Sequence, residues 1–187
     1  MMHKDEQILT ELLSEKETAF RKLFDQYYMP LCLYSVQITD SLDVSEDIVQ
    51  DFFITFWEKK VYKQIKRNLQ HYLFYCIRNA SLAKMKEKRI FFLEEVETEA
   101  YCLPEEEWEE EEIQKRHKQL FESLEQLPEQ GLKVFEGIVL HGKKYQEVAD
   151  ELGISINSVK TQFSRALKRL RDSLNIMILL ILKREYS

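Results

Sequence analysis

The chain has 187 residues, a formal net charge of −6, 44% hydrophobic and 32% charged residues, enough for one or two domains with a real core. Only 4 Gly and 3 Pro punctuate it, and apolar residues recur at helical spacing almost throughout, which argues against sheet-and-turn architectures and predicts an all-α fold. The cysteines, Cys32, Cys76 and Cys102, are odd in number and far apart, and His3, His71, His117 and His141 are equally scattered, so neither a disulfide scaffold nor a zinc site is indicated.

Cys32 and Cys76 sit inside apolar helical patterns and read as small core residues. The opening stretch MMHKDEQILTELL lacks the apolar core of a signal peptide. The longest apolar run, Ile176 to Leu182, falls far short of the roughly 20 residues that cross a bilayer. A soluble, cytoplasmic protein without membrane insertion is expected. The net charge conceals a pattern. Residues 61–89 hold eight Lys/Arg and one acid, residues 90–112 hold eleven Glu and no base, and residues 143–187 hold nine Lys/Arg against five acids. Two basic blocks flanking an acidic one predict contact with a polyanion plus a separate interaction segment.

In chain order, residues 5–18 carry Ile8, Leu9, Leu12 and Leu13 among charges, a short amphipathic helix. Phe20, Leu23, Phe24, Tyr27, Tyr28 and Leu31 follow at helical spacing and are expected in the core. Met29-Pro30 reads as a bend or boundary, although the pattern resumes through Leu33, Val36 and Ile38. Thr39-Asp40-Ser41 reads as a turn. In SEDIVQDFFITFWEKK, Ser45 and Asp47 suit a helix start, where a carboxylate meets the positive end of the helix dipole. Ile48, Val49, Phe52, Phe53 and Phe56 are assigned to its interior, which leaves Asp47, Gln50, Asp51, Ile54 and Trp57 unable to share that face. Carboxylates, an amide and large apolar groups together are what a protein-docking patch offers, while an ordinary solvated face with a partly buried Trp is the plainer alternative.

The connector VYKQIKRN is basic, with Lys63, Lys66, Arg67 and Asn68. The helix predicted over 69–88 buries Leu69, Leu73, Cys76, Ile77 and Ala80, leaving Tyr72, Tyr75, Arg78, Asn79 and Lys86 on its other sides. Aromatics interleaved with cations suit a melted nucleic-acid strand, because bases stack on rings at about 1–3 kcal/mol each while cations hold phosphates. A basic helix whose tyrosines simply pack reads the same composition equally well. The acidic stretch 94–112 repels itself and reads as a linker, with Trp108 as a possible anchor. Beyond it, Leu120, Phe121, Leu124, Leu127, Leu132, Phe135, Ile138, Val139 and Leu140 restore the helical pattern.

The stretch 145–174 then combines two helices and a short turn. Val148, Ala149 and Leu152 share one face; Gly153 supplies the left-handed position that ends the helix; Ser155 caps the next. That next helix buries Val159, Phe163, Ala166, Leu167 and Leu170, and carries Asn157, Ser158, Lys160, Thr161, Ser164, Arg165 and Lys168 elsewhere. No acid occurs from Val159 to Arg171. A helical hairpin with a solvated basic face is the bland reading; the turn chemistry and the hydrogen-bonding residues at the amino end favour a DNA-binding helix-turn-helix.

SEDIVQDFFITFW, YLFYCIRNASLAKMKEKR and LEQLPEQGLKVFEGIVLHGKKYQEVADELGISINSVKTQFSRALKRLR, in that order, resemble the extracytoplasmic-function group of the sigma-70 family, and the short, Gly-poor form with an apolar tail resembles its Bacteroides-type members. The resemblance implies two small helical domains without a catalytic site, cofactor or small-molecule substrate: region 2 over 1–92, an acidic linker over 93–112 and region 4 over 113–187. Such a protein binds core RNA polymerase and directs it to promoter DNA. By that resemblance Asp47, Gln50, Asp51, Ile54 and Trp57 meet the polymerase beta-prime clamp, and the linker threads through the polymerase, whose beta subunit is a further partner. Lys63, Lys66, Arg67, Asn68, Tyr72, Tyr75, Arg78, Asn79 and Lys86 meet the opened −10 element, where a flipped base is captured. Ser155, Asn157, Ser158, Lys160, Thr161, Ser164, Arg165 and Lys168 meet the −35 element.

An anti-sigma factor is the expected regulator. Two positions depart from the family pattern: Ala83 and Lys86 stand where Asp and Arg are common, which removes a bidentate guanidinium fork. The tail Ile176 to Leu182 is expected to extend the last helix over its domain core, or to receive an inhibitory partner. A stand-alone helix-turn-helix regulator with an amino-terminal partner- or ligand-sensing domain is the alternative. An enzyme is not indicated, because no carboxylate cluster, nucleophile–His pair or Gly-rich phosphate loop occurs.

Overall fold

The computed structural model describes residues 4–14, 17–65, 68–85 and 110–171. Two compact units divide the chain, Met1–Glu105 and Glu106–Ser187. Both are helical, with no strand among the described residues.

In the amino-terminal unit, α1 (Lys4–Leu13) turns Ile8 and Leu12 inward and leaves Leu13 exposed. The Tyr27 hydroxyl donates to the Asp5 carboxylate at 2.7 Å, and Lys22 pairs with Glu11 at 2.7 Å, tying α1 to α2. Helix α2 (Glu17–Thr39) is continuous through Pro30, so Met29-Pro30 does not mark a boundary. The missing Pro N–H removes one bond, but Pro30 is buried and α2 as a whole packs against both α3 and α4, which holds the helix together across it. Asp40, at φ +56, makes the predicted turn.

Helix α3 (Leu42–Glu58) begins earlier than expected. Its cap is Ser41, whose hydroxyl accepts from the Val44 N–H at 3.4 Å, rather than Ser45. Ser45 is instead buried, its hydroxyl 2.7 Å from that of Thr39. A 3-10 turn (Val61–Gln64) buries Tyr62 and leads to α4 (Leu69–Met85). The interior between α2, α3 and α4 holds Leu23, Leu31, Val49, Leu73, Phe74 and Ile77, and one polar seam crosses it where Ser35 and Ser81 hydroxyls lie 2.8 Å apart. Satisfied in this way, buried hydroxyls add little cost and fix the register of the helices. Cys32 and Cys76 are buried free thiols, as the apolar pattern predicts.

The carboxy-terminal unit comprises α5 (Glu110–Glu125), α6 (Glu129–Phe135), α7 (Tyr145–Leu152) and α8 (Ile156–Leu170). Helix α6 runs into a π turn, Glu136–Leu140, closed by the His141 N–H on the Glu136 carbonyl at 3.0 Å. Gly137 sits in that turn because α7 comes close. A Cβ there would lie 3.0 Å from a Val148 methyl. The core gathers Leu120, Leu124, Val134, Phe135, Ile138, Val148, Val159, Phe163 and Leu170. The tail Ile176 to Leu182, Trp108, Cys102 and most of the acidic linker lie outside the described residues.

Candidate functional site

Three surfaces hold the residues singled out by sequence. The first is built on α8. Gly153 ends α7 at φ +64, the left-handed region where a side chain is strained. Ser155 then opens α8, its hydroxyl accepting the Ser158 N–H at 3.0 Å and lying 2.9 Å from the Ser158 hydroxyl. The five apolar residues Val159, Phe163, Ala166, Leu167 and Leu170 are all buried, as their spacing predicts. Phe163 is wedged between Phe135 and Tyr145, at centroid distances of 6.3 and 6.2 Å.

Opposite that core, Asn157, Thr161, Ser164, Arg165 and Lys168 recur along a single exposed stripe at intervals of four, three, one and three residues. Ser155 and Ser158 are exposed beside its amino end. Lys160 departs from this stripe: its ammonium lies 5.4 Å from the Tyr145 ring centroid, a cation–π contact on the flank. The Thr161 hydroxyl donates to the Asn157 carbonyl at 2.8 Å. Beside the stripe, Arg165, Lys168 and Arg169 border a cavity of about 250 Å³ floored by Leu127, Pro128 and Ala166. A helix with hydrogen-bonding side chains at its exposed amino end and cations along the same stripe has the chemistry to enter a major groove and hold phosphates.

The second surface lies on α4. Tyr72, Tyr75 and Asn79 are half-buried and Arg78 is exposed, all on the side away from Leu73, Ile77 and Ala80. Burial, with the neighbouring Cys76 thiol, holds the Tyr72 hydroxyl well above the ordinary phenol range. Burial also pushes the Cys76 thiol up to about 11. Both groups are therefore uncharged at neutral pH, and the face is cationic through Arg78 rather than anionic. Lys63 is exposed on the preceding 3-10 turn. Asn68, in a left-handed conformation at φ +48, spends its Oδ1 on the His71 N–H at 3.1 Å, capping α4. Lys66, Arg67 and Lys86 lie outside the described residues.

The third surface is on α3, where Asp47, Gln50, Asp51 and Ile54 are exposed and Trp57 is half-buried. Ile54 leaves 55% of its surface to solvent, a large apolar group among carboxylates. Trp57 packs on Phe20, centroids 4.8 Å apart, and on Tyr62 at 5.9 Å. Of the six residues whose spacing predicts a core position, Leu23, Tyr27 and Leu31 are buried, whereas Phe20, Phe24 and Tyr28 are only half-buried. The aromatic row of α2 rests against the edge of α3 through Phe53, 6.0 Å from Phe20 and 5.0 Å from Phe24, and borders the α3 face. The interior row Leu23, Tyr27 and Leu31 repeats at the same interval of four, so spacing within α2 does not separate the two rows; the helices packed against them do.

Among the described residues, no group of three or more His, Cys, Asp or Glu side chains is placed to hold a metal ion. No helix among them is long and apolar enough to cross a membrane.

Comparison with known proteins bears on the first surface. Residues 117–170 match the family model described as Sigma-70, region 4. The region 4 match runs from within α5 to the last residue of α8, and so contains the whole helix-turn-helix with its exposed stripe. Among solved structures the chain is similar to CnrH in complex with the cytosolic domain of CnrY, at 18% identity and a TM-score of 0.35, covering 87% of this chain and 92% of that one. It is also similar to the sigma factor RpoE in complex with the anti-sigma factor NepR from Bartonella quintana, at 22% identity and a TM-score of 0.32, covering 82% of this chain and 95% of that one. No curated protein matches the chain.

Proposed function

We propose that the chain is a sigma factor of the extracytoplasmic-function group, a subunit that binds core RNA polymerase and directs it to promoter DNA. The observation that carries this reading is the coincidence of the region 4 match with an acid-free, exposed stripe on α8, Asn157 to Lys168. In this reading the stripe reads the −35 element in duplex form, where Arg165 and Lys168 have the reach for guanine edges or phosphates. Tyr72, Tyr75, Arg78 and Asn79, with Lys63, Lys66, Arg67, Asn68 and Lys86, meet the separated −10 strand, stacking on bases and holding phosphates. The acidic and apolar α3 face, Asp47 to Trp57, docks on the beta-prime clamp. Residues 1–92, 93–112 and 113–187 then serve as region 2, linker and region 4. A non-catalytic role in the cytoplasm, an anti-sigma regulator covering these faces and membership of the Bacteroides-type group complete the reading, on the sequence resemblance.

The test uses the full chain and purified core RNA polymerase. Gln50→Ala with Asp51→Ala is expected to weaken polymerase binding at least tenfold while duplex DNA binding through α8 stays within twofold, for a buried core left untouched (~1.4 kcal/mol per tenfold). Loss of both activities together, or polymerase binding that the substitutions leave intact, would overturn the assignment. A wild-type chain with no affinity for polymerase would point to the stand-alone regulator instead.

A further inference from the structure

Gln50 is the neutral member of the exposed acidic face of α3, and its side chain is not left to itself. Its Nε2 donates to the Tyr28 hydroxyl of α2 at 3.2 Å. The Cys32 thiol stands one helical turn along α2 from Tyr28, and the two groups influence each other. With its nitrogen on Tyr28, the amide turns its Oε1 away from that hydroxyl.

Tyr28 is itself well fixed. Its ring stacks on Phe24 with centroids 4.7 Å apart and planes 22° apart, and Phe24 leans on the buried Phe53 at 5.0 Å. Glu46, only 6% exposed, lies near enough for its charge to act on both Tyr28 and Cys32, which favours keeping them protonated. The hydroxyl is thus a stationary post set by the packing of α2 on α3. Asp47 stands three residues before Gln50 and four before Asp51, so the three share one exposed face, and fixing the amide in this orientation leaves that face rich in hydrogen-bond acceptors.

We propose that Tyr28 is a positioning residue of the α3 docking face, holding the Gln50 amide so that Asp47, Gln50 and Asp51 present acceptors together to donor groups, Arg and Lys above all, of the partner. This rests on the docking role given to α3 above, and names the partner's chemistry: a basic, donor-bearing surface. A freely rotating Gln50 would offer its NH2 half the time, and two donors facing a cation repel it.

The experiment is a double-substitution cycle on the full chain, read as affinity for core RNA polymerase. Tyr28→Phe keeps the ring on Phe24 and removes only the post. It is expected to weaken binding about three- to tenfold, the range that corresponds to one hydrogen bond. Gln50→Ala is expected to weaken binding by at least as much, and Tyr28→Phe added to Gln50→Ala is expected to change nothing further, because the hydroxyl acts only through the amide. Additive losses would overturn the proposal by showing that Tyr28 acts through fold stability or through its own contact. Wild-type binding by Tyr28→Phe, with Gln50→Ala still weakened, would overturn it while leaving α3 docking intact. Should Gln50→Ala also bind like wild type, the docking role of this face fails first and the proposal with it. Thermal midpoints of each variant separate folding losses from binding losses.

Discussion

The faces on α4 and α8 are made by opposite means. On α8 the exposed stripe and the buried stripe share no residue: Asn157, Thr161, Ser164, Arg165 and Lys168 face outward, and Val159, Phe163, Ala166, Leu167 and Leu170 are buried. On α4 the same rings serve both ends, since Tyr72 and Tyr75 are half-buried and Tyr72 reaches the buried Cys76. A face that carries no part of the core tolerates change without loss of fold. A face made of half-buried rings does not, and any substitution there is felt in stability as well as in binding.

That contrast is broken most severely from beneath α8. Phe163 is fully buried, and Phe163→Ala is expected to cost about 3–5 kcal/mol, the usual range for a large aromatic removed from a core. The carboxy-terminal unit should unfold or become fluid while the amino-terminal unit keeps its amide protection in hydrogen exchange. Duplex DNA binding should fall with it and polymerase docking should survive. Equal loss of protection in both units would mean that their stabilities are coupled.

Alkaline pH should act on the other unit. The Cys76 thiol titrates at about 11 folded against an ordinary 9.0. Below pH 9 both states hold the proton and nothing is lost. As pH rises past 9 the unfolded chain releases it first, so stability falls with pH, by about 1.4 kcal/mol per unit and about 3 kcal/mol at most from this group. Burial raises Cys32, Tyr27 and Tyr72 in the same sense, all in the amino-terminal unit. Unfolding followed unit by unit at pH 8 and pH 10.5, under reducing conditions, should show the amino-terminal unit weakening first. Cys76→Ala should shrink the difference; an unchanged difference would show that the thiol contributes none of it.

How far these surfaces were legible in the sequence follows from the same contrast. On α8 every signal is local. The spacing gives the stripes, Gly153 the turn and Ser155 the cap, and the structure places each where it was expected. On α2 and α3 the deciding partners are distant in sequence. Helical spacing shows which side of α2 is apolar, but not how wide a strip its neighbours cover, so it places Phe20, Phe24 and Tyr28 in the core with Leu23 and Tyr27. The bond between Gln50 and Tyr28 joins residues 22 apart, and no pattern within one helix announces it. Ser41 and Ser45 are equivalent as cap candidates by type alone; the Thr39 hydroxyl, which takes Ser45 into the interior, decides between them. The π turn left only Gly137 as a trace, and its reason is the approach of Val148 from the next helix.

The smallest expected effect tests the local end of that argument. Ser155→Ala removes the hydroxyl that accepts the Ser158 N–H, and a lost amino-terminal cap costs about 1 kcal/mol. The loss is confined to the first turn of α8, because Val159 and Phe163 remain buried beneath it. Exchange of the Ser158 amide should therefore quicken about fivefold, with amides from Ala166 onward unchanged. Duplex DNA binding should weaken by a similar small factor, since Asn157 and Ser158 stand on that turn and their order would then have to be restored at binding. Polymerase docking through α3 should not move. Were the Ser158 amide to exchange at its wild-type rate, the cap would be idle, and the fixed entry of α8 would have to come from Gly153 and the buried rings alone.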